Sequence, residues 1–190
     1  MVFLNKKTLC KRNSQRGVGM IEVLVAVTIS AFALLGLAGL QVAALKYQKV
    51  ANFRALASQY GADMADRIRA NATAVSAVAP TATYLTTDQY TTSAPSTVPA
   101  CAVAGTTCAT PQAIADKDIY QWRVTLNNAM AGGWGTISAY DVVNRNITIT
   151  VYYSEPGRAQ ASDASTCAAA VFPSGVDQTS IRCVATTVTP

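Results

Sequence analysis

The sequence predicts an α+β protein in which a long N-terminal helix packs on an antiparallel β-sheet. From Val23 to Leu45 the chain carries no charged residue, and a helical pattern continues beyond that run to Asn71. Much later, residues 147–153 alternate with the period of two that is typical of a half-buried strand. A sheet with one apolar face must be covered, and the amphipathic half of the helix provides the cover.

The composition limits the classes of function. The chain has 190 residues, of which 51% are hydrophobic and 13% are charged, so it is not intrinsically disordered and suits one domain with an appendage. It has no histidine, so it cannot build a serine triad, a cysteine–histidine dyad or a histidine-ligated metal site by itself. We therefore expect no catalytic residue, no cofactor and no metal site.

The positive charge is confined to one end of the chain. The formal charge is +5, and residues 1–17 carry five basic and no acidic side chains, whereas residues 18–190 carry ten of each. The remainder therefore has no broad basic face that could attract phosphates. We do not expect nucleic acid to be a partner.

The uncharged run is long enough to cross a membrane. Its 23 residues, Val23 to Leu45, span about 35 Å as a helix. The five cations precede it and the next lysine is Lys46, so the positive-inside rule places the N-terminus in the cytoplasm and the rest outside. The alternative is a cleaved signal peptide, whose apolar core is usually shorter, about 7 to 15 residues. We expect a single membrane span, N-in and C-out.

The helix continues past the apolar run. Apolar side chains recur at three- and four-residue spacing over 50–68, which predicts one helix from about Val18 to Asn71. Its first half is apolar all round and its second half is amphipathic. Near its end, Asp63 with Arg67 and Asp66 with Arg69 have the spacing of ion pairs on a solvated helix face.

One acidic residue stands at the start of the apolar run. Glu22 is the only charged residue between Arg16 and Lys46. An uncompensated carboxylate at the edge of hydrocarbon costs several kcal/mol, so it needs a partner or has a function. The alternative is that Glu22 merely reaches the lipid headgroups.

The basic tail, Gly17, the apolar Val18, Glu22 and the apolar helix together resemble the type III signal of type IV prepilins. The resemblance implies that a prepilin peptidase cleaves after Gly17 and that Val18 becomes the N-methylated first residue. It also implies that Glu22 pairs with the N-terminal amine of a neighbouring subunit in a filament. The fold implied is the type IV pilin fold, held in the inner membrane before assembly and at the pilus or cell surface afterwards.

Two shorter segments, 62–71 and 132–135, resemble minor pilins of the PilV type, also called type IV pilus modification proteins. The resemblance implies a minor pilin that acts in pilus assembly or initiation, or that modifies adhesion or motility. The implied partners are the prepilin peptidase, major and minor pilins, and the pilus assembly machinery. Two alternatives stay open, a pseudopilin of a type II secretion system and a single-span anchor for a periplasmic binding domain or enzyme.

The resemblance also implies a division of the chain into four parts. The implied parts are a leader (1–17), the membrane or filament-core half of the helix (18–45), the amphipathic half (46–71) and a globular periplasmic domain (72–190).

The first part of the globular region predicts a long surface connection. Residues 72–115 lack periodicity and contain Asp88 as their only charge. A short helix is then predicted from Asp116 until the glycines at 132 and 133 stop it, with one apolar face; that face consists of Ile119, Trp122, Leu126 and Met130. The competing interpretation is a strand with alternate residues 120–126 on one face.

The C-terminal part predicts the sheet. Residues 147–153 form the central strand, 136–140 pair with it through a turn at 144–146, and 181–187 add a later strand.

Five cysteines occur, and Cys10 lies in the leader. The other four, Cys101, Cys108, Cys167 and Cys183, lie on the oxidising side of the membrane, where disulfides persist. Four cysteines allow three pairings, and the short separations favour Cys101 with Cys108 and Cys167 with Cys183. A zinc site is the alternative, without histidine or CxxC spacing to support it.

Overall fold

A computed structural model describes residues 19–75, 82–155, 167 and 169–190. The chain divides into two compact units, 1–46 and 47–190. The first helix, α1 (Met20–Ala70), has 51 residues and contributes to both units. The long helix predicted from the sequence is confirmed, although Val18, its predicted first residue, lies outside the described residues.

Two further helices follow, the short α2 (Ala72–Val75) and α3 (Pro111–Ala129). The predicted helix after the connection is therefore confirmed and the competing strand is wrong. Its predicted start at Asp116 is also wrong, because the Thr110 side chain accepts a hydrogen bond from the Ala113 N–H (3.1 Å) and Pro111 occupies the first turn. The connection is correspondingly shorter than predicted and contains a 3₁₀ turn at Ala100–Ala102.

The sheet has three antiparallel strands in the order β1-β2-β3. They are β1 (Trp134–Ile137), β2 (Ile147–Ser154) and β3 (Ile181–Val188). The two later strands confirm the prediction. The first strand lies earlier than the predicted 136–140, because the Ser138 hydroxyl accepts the Thr148 N–H (2.9 Å), a bond that a backbone carbonyl would accept in a regular ladder.

The main core lies between the sheet, α3 and the second half of α1. Buried α1 side chains pack with inward residues of β2 and with Trp122 and Leu126 of α3; the α1 set is Ala57, Met64, Ala65 and Ile68. The Trp122 indole N–H donates to the Tyr60 carbonyl of α1 (2.9 Å). The α+β prediction of a helix packed on an antiparallel sheet is thereby confirmed.

A second, smaller core lies on the opposite face of the sheet. Tyr152, which points away from its neighbours Val151 and Tyr153, packs there with Phe172 and Tyr90 at ring-centroid distances of 5.7 and 6.1 Å. The C-terminal half of β2 is therefore buried on both faces. The prediction of a half-buried strand is correct only for its first half.

Candidate functional site

The first turn of α1 holds the acidic residue that the sequence singles out. Glu22 is exposed, and its backbone N–H donates to the Gly19 carbonyl (2.9 Å). Within the described part of the chain, no ion pair to the Glu22 carboxylate is found. Gly17 and Val18, the predicted cleavage and methylation positions, lie outside the described residues, so both assignments stay predictions.

The helix that follows Glu22 presents apolar side chains on all sides. Large side chains such as Leu24, Phe32 and Leu35 are 66%, 76% and 72% exposed. The hydroxyls of Thr28 and Ser30 donate to carbonyls of the preceding turn (2.8 Å each), so neither needs a polar partner outside the helix. By length and composition, this is the one candidate membrane span among the described residues. Such a surface suits lipid or a bundle of like helices.

At the other end of α1, the two predicted ion pairs are confirmed. Arg67 contacts Asp63 at 3.0 Å and Arg69 contacts Asp66 at 2.9 Å. The prediction that this is only a solvated face is wrong for Arg67, which also reaches Asp118 of α3 (3.3 Å). The charges at 62–71 therefore help to hold α1 against α3.

The glycines at 132–135 have a packing role. Gly132 has φ +61°, a conformation that favours glycine. A Cβ on Gly133 would overlap the Leu126 carbonyl, and a Cβ on Gly135 would overlap the Trp122 ring. The resemblance at these positions is thus accounted for by close packing in the fold, and it carries no separate evidence about function.

Cys101, Cys108, Cys167 and Cys183 form two disulfides. Cys101 is bonded to Cys108 (S–S 2.06 Å) and Cys167 to Cys183 (2.12 Å). These are the pairs with the short separations, 7 and 16 residues. In the described ranges, no three His, Cys, Asp or Glu side chains are grouped so as to hold a metal ion. Cys10 lies outside the described residues.

The sequence analysis missed a polar cleft beside α3. Arg123, 5% exposed, pairs with Asp88 of the preceding connection at 2.7 Å, and its guanidinium lies 4.2 Å from the Trp134 ring centroid. The sequence held one signal for it, since Asp88 is the only charge in 72–115. Nothing in the local pattern names Arg123 as its partner.

Comparison with known proteins identifies the N-terminal segment. Residues 12–38 match the family model described as the prokaryotic N-terminal methylation motif. No curated protein and no solved structure matches the chain. The match begins in the basic tail and covers Glu22 and much of the apolar half of α1.

This match indicates a type IV prepilin-like protein, of a pilus or of a pseudopilus. It implies processing by a prepilin peptidase and assembly with other pilins and their machinery. Together with the apolar N-terminal helix, it suggests membrane anchoring. The same motif suggests a structural protein.

Proposed function

We propose that the protein is a minor pilin of the PilV type, a structural subunit that helps to initiate a type IV pilus or modifies its adhesion or motility. The observation that carries the proposal is Glu22. It is an exposed acid in the first turn of an apolar helix, inside the segment that matches the methylation motif. Such a charge calls for a counter-ion that the lipid cannot supply.

In the proposed mechanism, the inner-membrane chain lies N-in and C-out until the peptidase cleaves after Gly17. The new amine of Val18 is then methylated, and the apolar half of α1 moves from lipid into a bundle of pilin helices. Lipid is as apolar as the helix surface, so the hydrophobic effect does not drive this step. Close packing with like helices drives it instead. The Glu22 carboxylate pairs with the N-terminal ammonium of a neighbouring subunit, which selects the axial position.

The globular part suits the outer side of such a filament. Both disulfides fit the oxidising periplasm and cell surface. The basic and acidic residues of 18–190 balance at ten each, so no strong field opposes packing against other subunits.

The test compares wild type with Glu22→Ala in cells that assemble pili, with Ser30→Ala as the matched control. Ser30 lies on the same apolar helix, and its hydroxyl bonds only within the helix. We expect all three chains in the membrane fraction. Sheared pili should contain wild type and Ser30→Ala in similar amounts. The amount of Glu22→Ala should be about tenfold lower, which corresponds to about 1.4 kcal/mol in the free energy of incorporation.

Intact-mass analysis of the membrane-extracted wild type supplies the second readout. We expect a chain that begins at a methylated Val18 and has lost four thiol hydrogens to two disulfides. Normal incorporation of Glu22→Ala would reject the role given to Glu22. A chain that still begins at Met1 would reject the filament subunit and favour a membrane-anchored binding domain or enzyme.

A pseudopilin carries the same motif, so a separate deletion experiment separates the two. Loss of surface pili with secretion intact is the expected result. Loss of exoprotein secretion with pili intact would assign the chain to a type II secretion pseudopilus instead.

A further inference from the structure

The cleft beside α3 is large enough for a small ligand. It has a volume of about 600 Å³ and is lined by the extended segment 85–99, by α3 and by Trp134 of β1. Ligand sites commonly have volumes of about 300 to 1,000 Å³. All of its lining residues belong to the globular unit.

The walls of the cleft are tied to the body of the domain at several points. The Thr86 N–H donates to the Ile137 carbonyl (3.1 Å) and the Tyr90 N–H to the Val171 carbonyl (2.8 Å). The Asn127 amide of α3 donates to the Thr92 carbonyl (2.8 Å). Beyond residue 99, the Cys101–Cys108 disulfide closes a local loop just before α3. The cleft is therefore preformed, which lowers the entropy cost of binding.

Two buried donors of the lining residues lack partners. Arg123 donates through Nε to the Gly135 carbonyl (3.0 Å) and through Nη1 to Asp88, but its Nη2 has no acceptor among the described residues. The Trp134 indole N–H also has none there. An unmet buried donor costs about 1 to 3 kcal/mol, but both atoms are buried from solvent, so a ligand in the cleft does not reach them unless these side chains shift.

The other lining groups restrict the ligand. Two carboxylates, Asp88 and Asp116, line the cleft with the Arg123 guanidinium, so the charged lining sums to −1 and disfavours an anion. Hydroxyls line the extended wall, and the half-buried Tyr120 offers a ring on the α3 side. A suitable ligand is neutral, donates to carboxylates and has an apolar face.

Sugars meet all three conditions, since their hydroxyls donate hydrogen bonds and the C–H face of the ring packs on an aromatic side chain. We propose that the cleft between segment 85–99 and α3 binds a neutral carbohydrate. This goes beyond the filament role, and it holds whether the chain enters a pilus or a pseudopilus.

The test uses the full chain, purified in a detergent without a sugar headgroup and titrated with maltose, lactose, mannobiose and chitobiose. Saturation-transfer difference NMR reports binding, and sialyllactose serves as the anionic counterpart of lactose. We expect at least one neutral disaccharide to bind. Asp116→Asn and Tyr120→Ala should each weaken that binding by about tenfold, or about 1.4 kcal/mol.

Control variants separate the cleft from general effects. Asp66→Asn and Tyr47→Ala change the same residue types at exposed positions of α1 and should leave binding unchanged. Thr97→Trp fills the cleft from the opposite wall and should abolish binding. Because it leaves α3 unchanged, it still tests the cleft if an α3 variant fails to fold. The proposal is overturned if no neutral disaccharide binds, if the cleft variants bind as wild type does, or if sialyllactose binds more tightly than every neutral sugar.

Discussion

At the scale of single residues, Tyr84 joins three parts of the chain. Its ring is buried, and its hydroxyl donates to Asp118 of α3 (2.9 Å) and accepts from the Asn71 amide just after α1 (3.3 Å). Asn71 also donates to the Pro111 carbonyl at the start of α3 (3.1 Å). Because Arg67 binds the same Asp118, one network holds the end of α1 to the beginning of α3.

Replacing Tyr84 by Phe removes the hydroxyl and leaves Asp118 and Asn71 short of a partner. We expect the free energy of unfolding to fall by about 1 to 2 kcal/mol. Urea unfolding of the purified chain measures the change, with Tyr47→Phe on the exposed part of α1 as the control. A loss no larger than that of Tyr47→Phe would show that the network adds nothing to stability.

The same scale explains why Glu22 was recognisable from the sequence and Arg123 was not. Glu22 is conspicuous because every neighbour within 20 residues on its C-terminal side is uncharged. Arg123 is distinguished only by its contacts with Asp88, 35 residues away, and with Trp134 on another element. Only folding brings these groups together.

At the scale of elements, Gly135 allows β1 to pack closely against α3. The face of β1 at Gly135 contacts the ring of Trp122, which is only 1% exposed and so has little freedom to move. The missing Cβ lets the indole fill the space between the helix and the sheet.

Gly135→Ala should therefore destabilise the domain. We expect a loss of about 1 to 3 kcal/mol in the free energy of unfolding, the usual cost of overpacking a core. Thermal unfolding followed by tryptophan fluorescence measures it. Gly36→Ala is the control, because nothing in its own unit lies within 4 Å of a Cβ at that position, and no loss is expected there. Equal stability of both variants would contradict the packing role of Gly135.

Element boundaries show where local signals suffice. The start of α3 was predicted from the acidic residues at 116–118, yet Thr110 followed by Pro111 is the stronger local signal for a helix start. The shift of β1 from the predicted 136–140 to Trp134–Ile137 could not be predicted from the local sequence. It depends on a Ser138 hydroxyl that bonds to a neighbouring strand.

At the scale of the whole molecule, three buried tyrosines make stability depend on alkaline pH. Burial is the largest cause that raises the pKa of Tyr84, Tyr90 and Tyr153 above the ordinary value. A folded-state pKa above the unfolded-state pKa means that the native state keeps its tyrosine protons to a higher pH than the unfolded state does. The stabilisation is complete below about pH 10, where both states are protonated, and is lost as the pH rises toward the folded-state values.

We therefore expect the melting temperature to be level up to about pH 9 and to fall steeply above about pH 10. Each tyrosine adds up to about 1.4 kcal/mol of destabilisation per pH unit in that range. Melting curves of wild type and Tyr84→Phe across this range test it, and the variant should show the shallower fall. Parallel curves for the two chains would remove Tyr84 from the explanation.

The sequence by itself determined the features that depend on neighbours along the chain. These are the long helix, the isolated charge of Glu22 ahead of an apolar run, the central strand and the cysteine pairs of short separation. Each follows from periodicity, charge spacing or loop closure, which act within a few turns or a short loop.

The tertiary structure alone decided which residues meet across the chain. It buried the C-terminal half of β2 on both faces, joined Arg67 to Asp118, and placed Asp88, Arg123 and Trp134 around one cleft. These outcomes depend on contacts between segments dozens of residues apart, and no local pattern encodes which distant side chain will supply a partner. For that reason the long apolar helix could be predicted from the sequence, whereas the candidate ligand site could not.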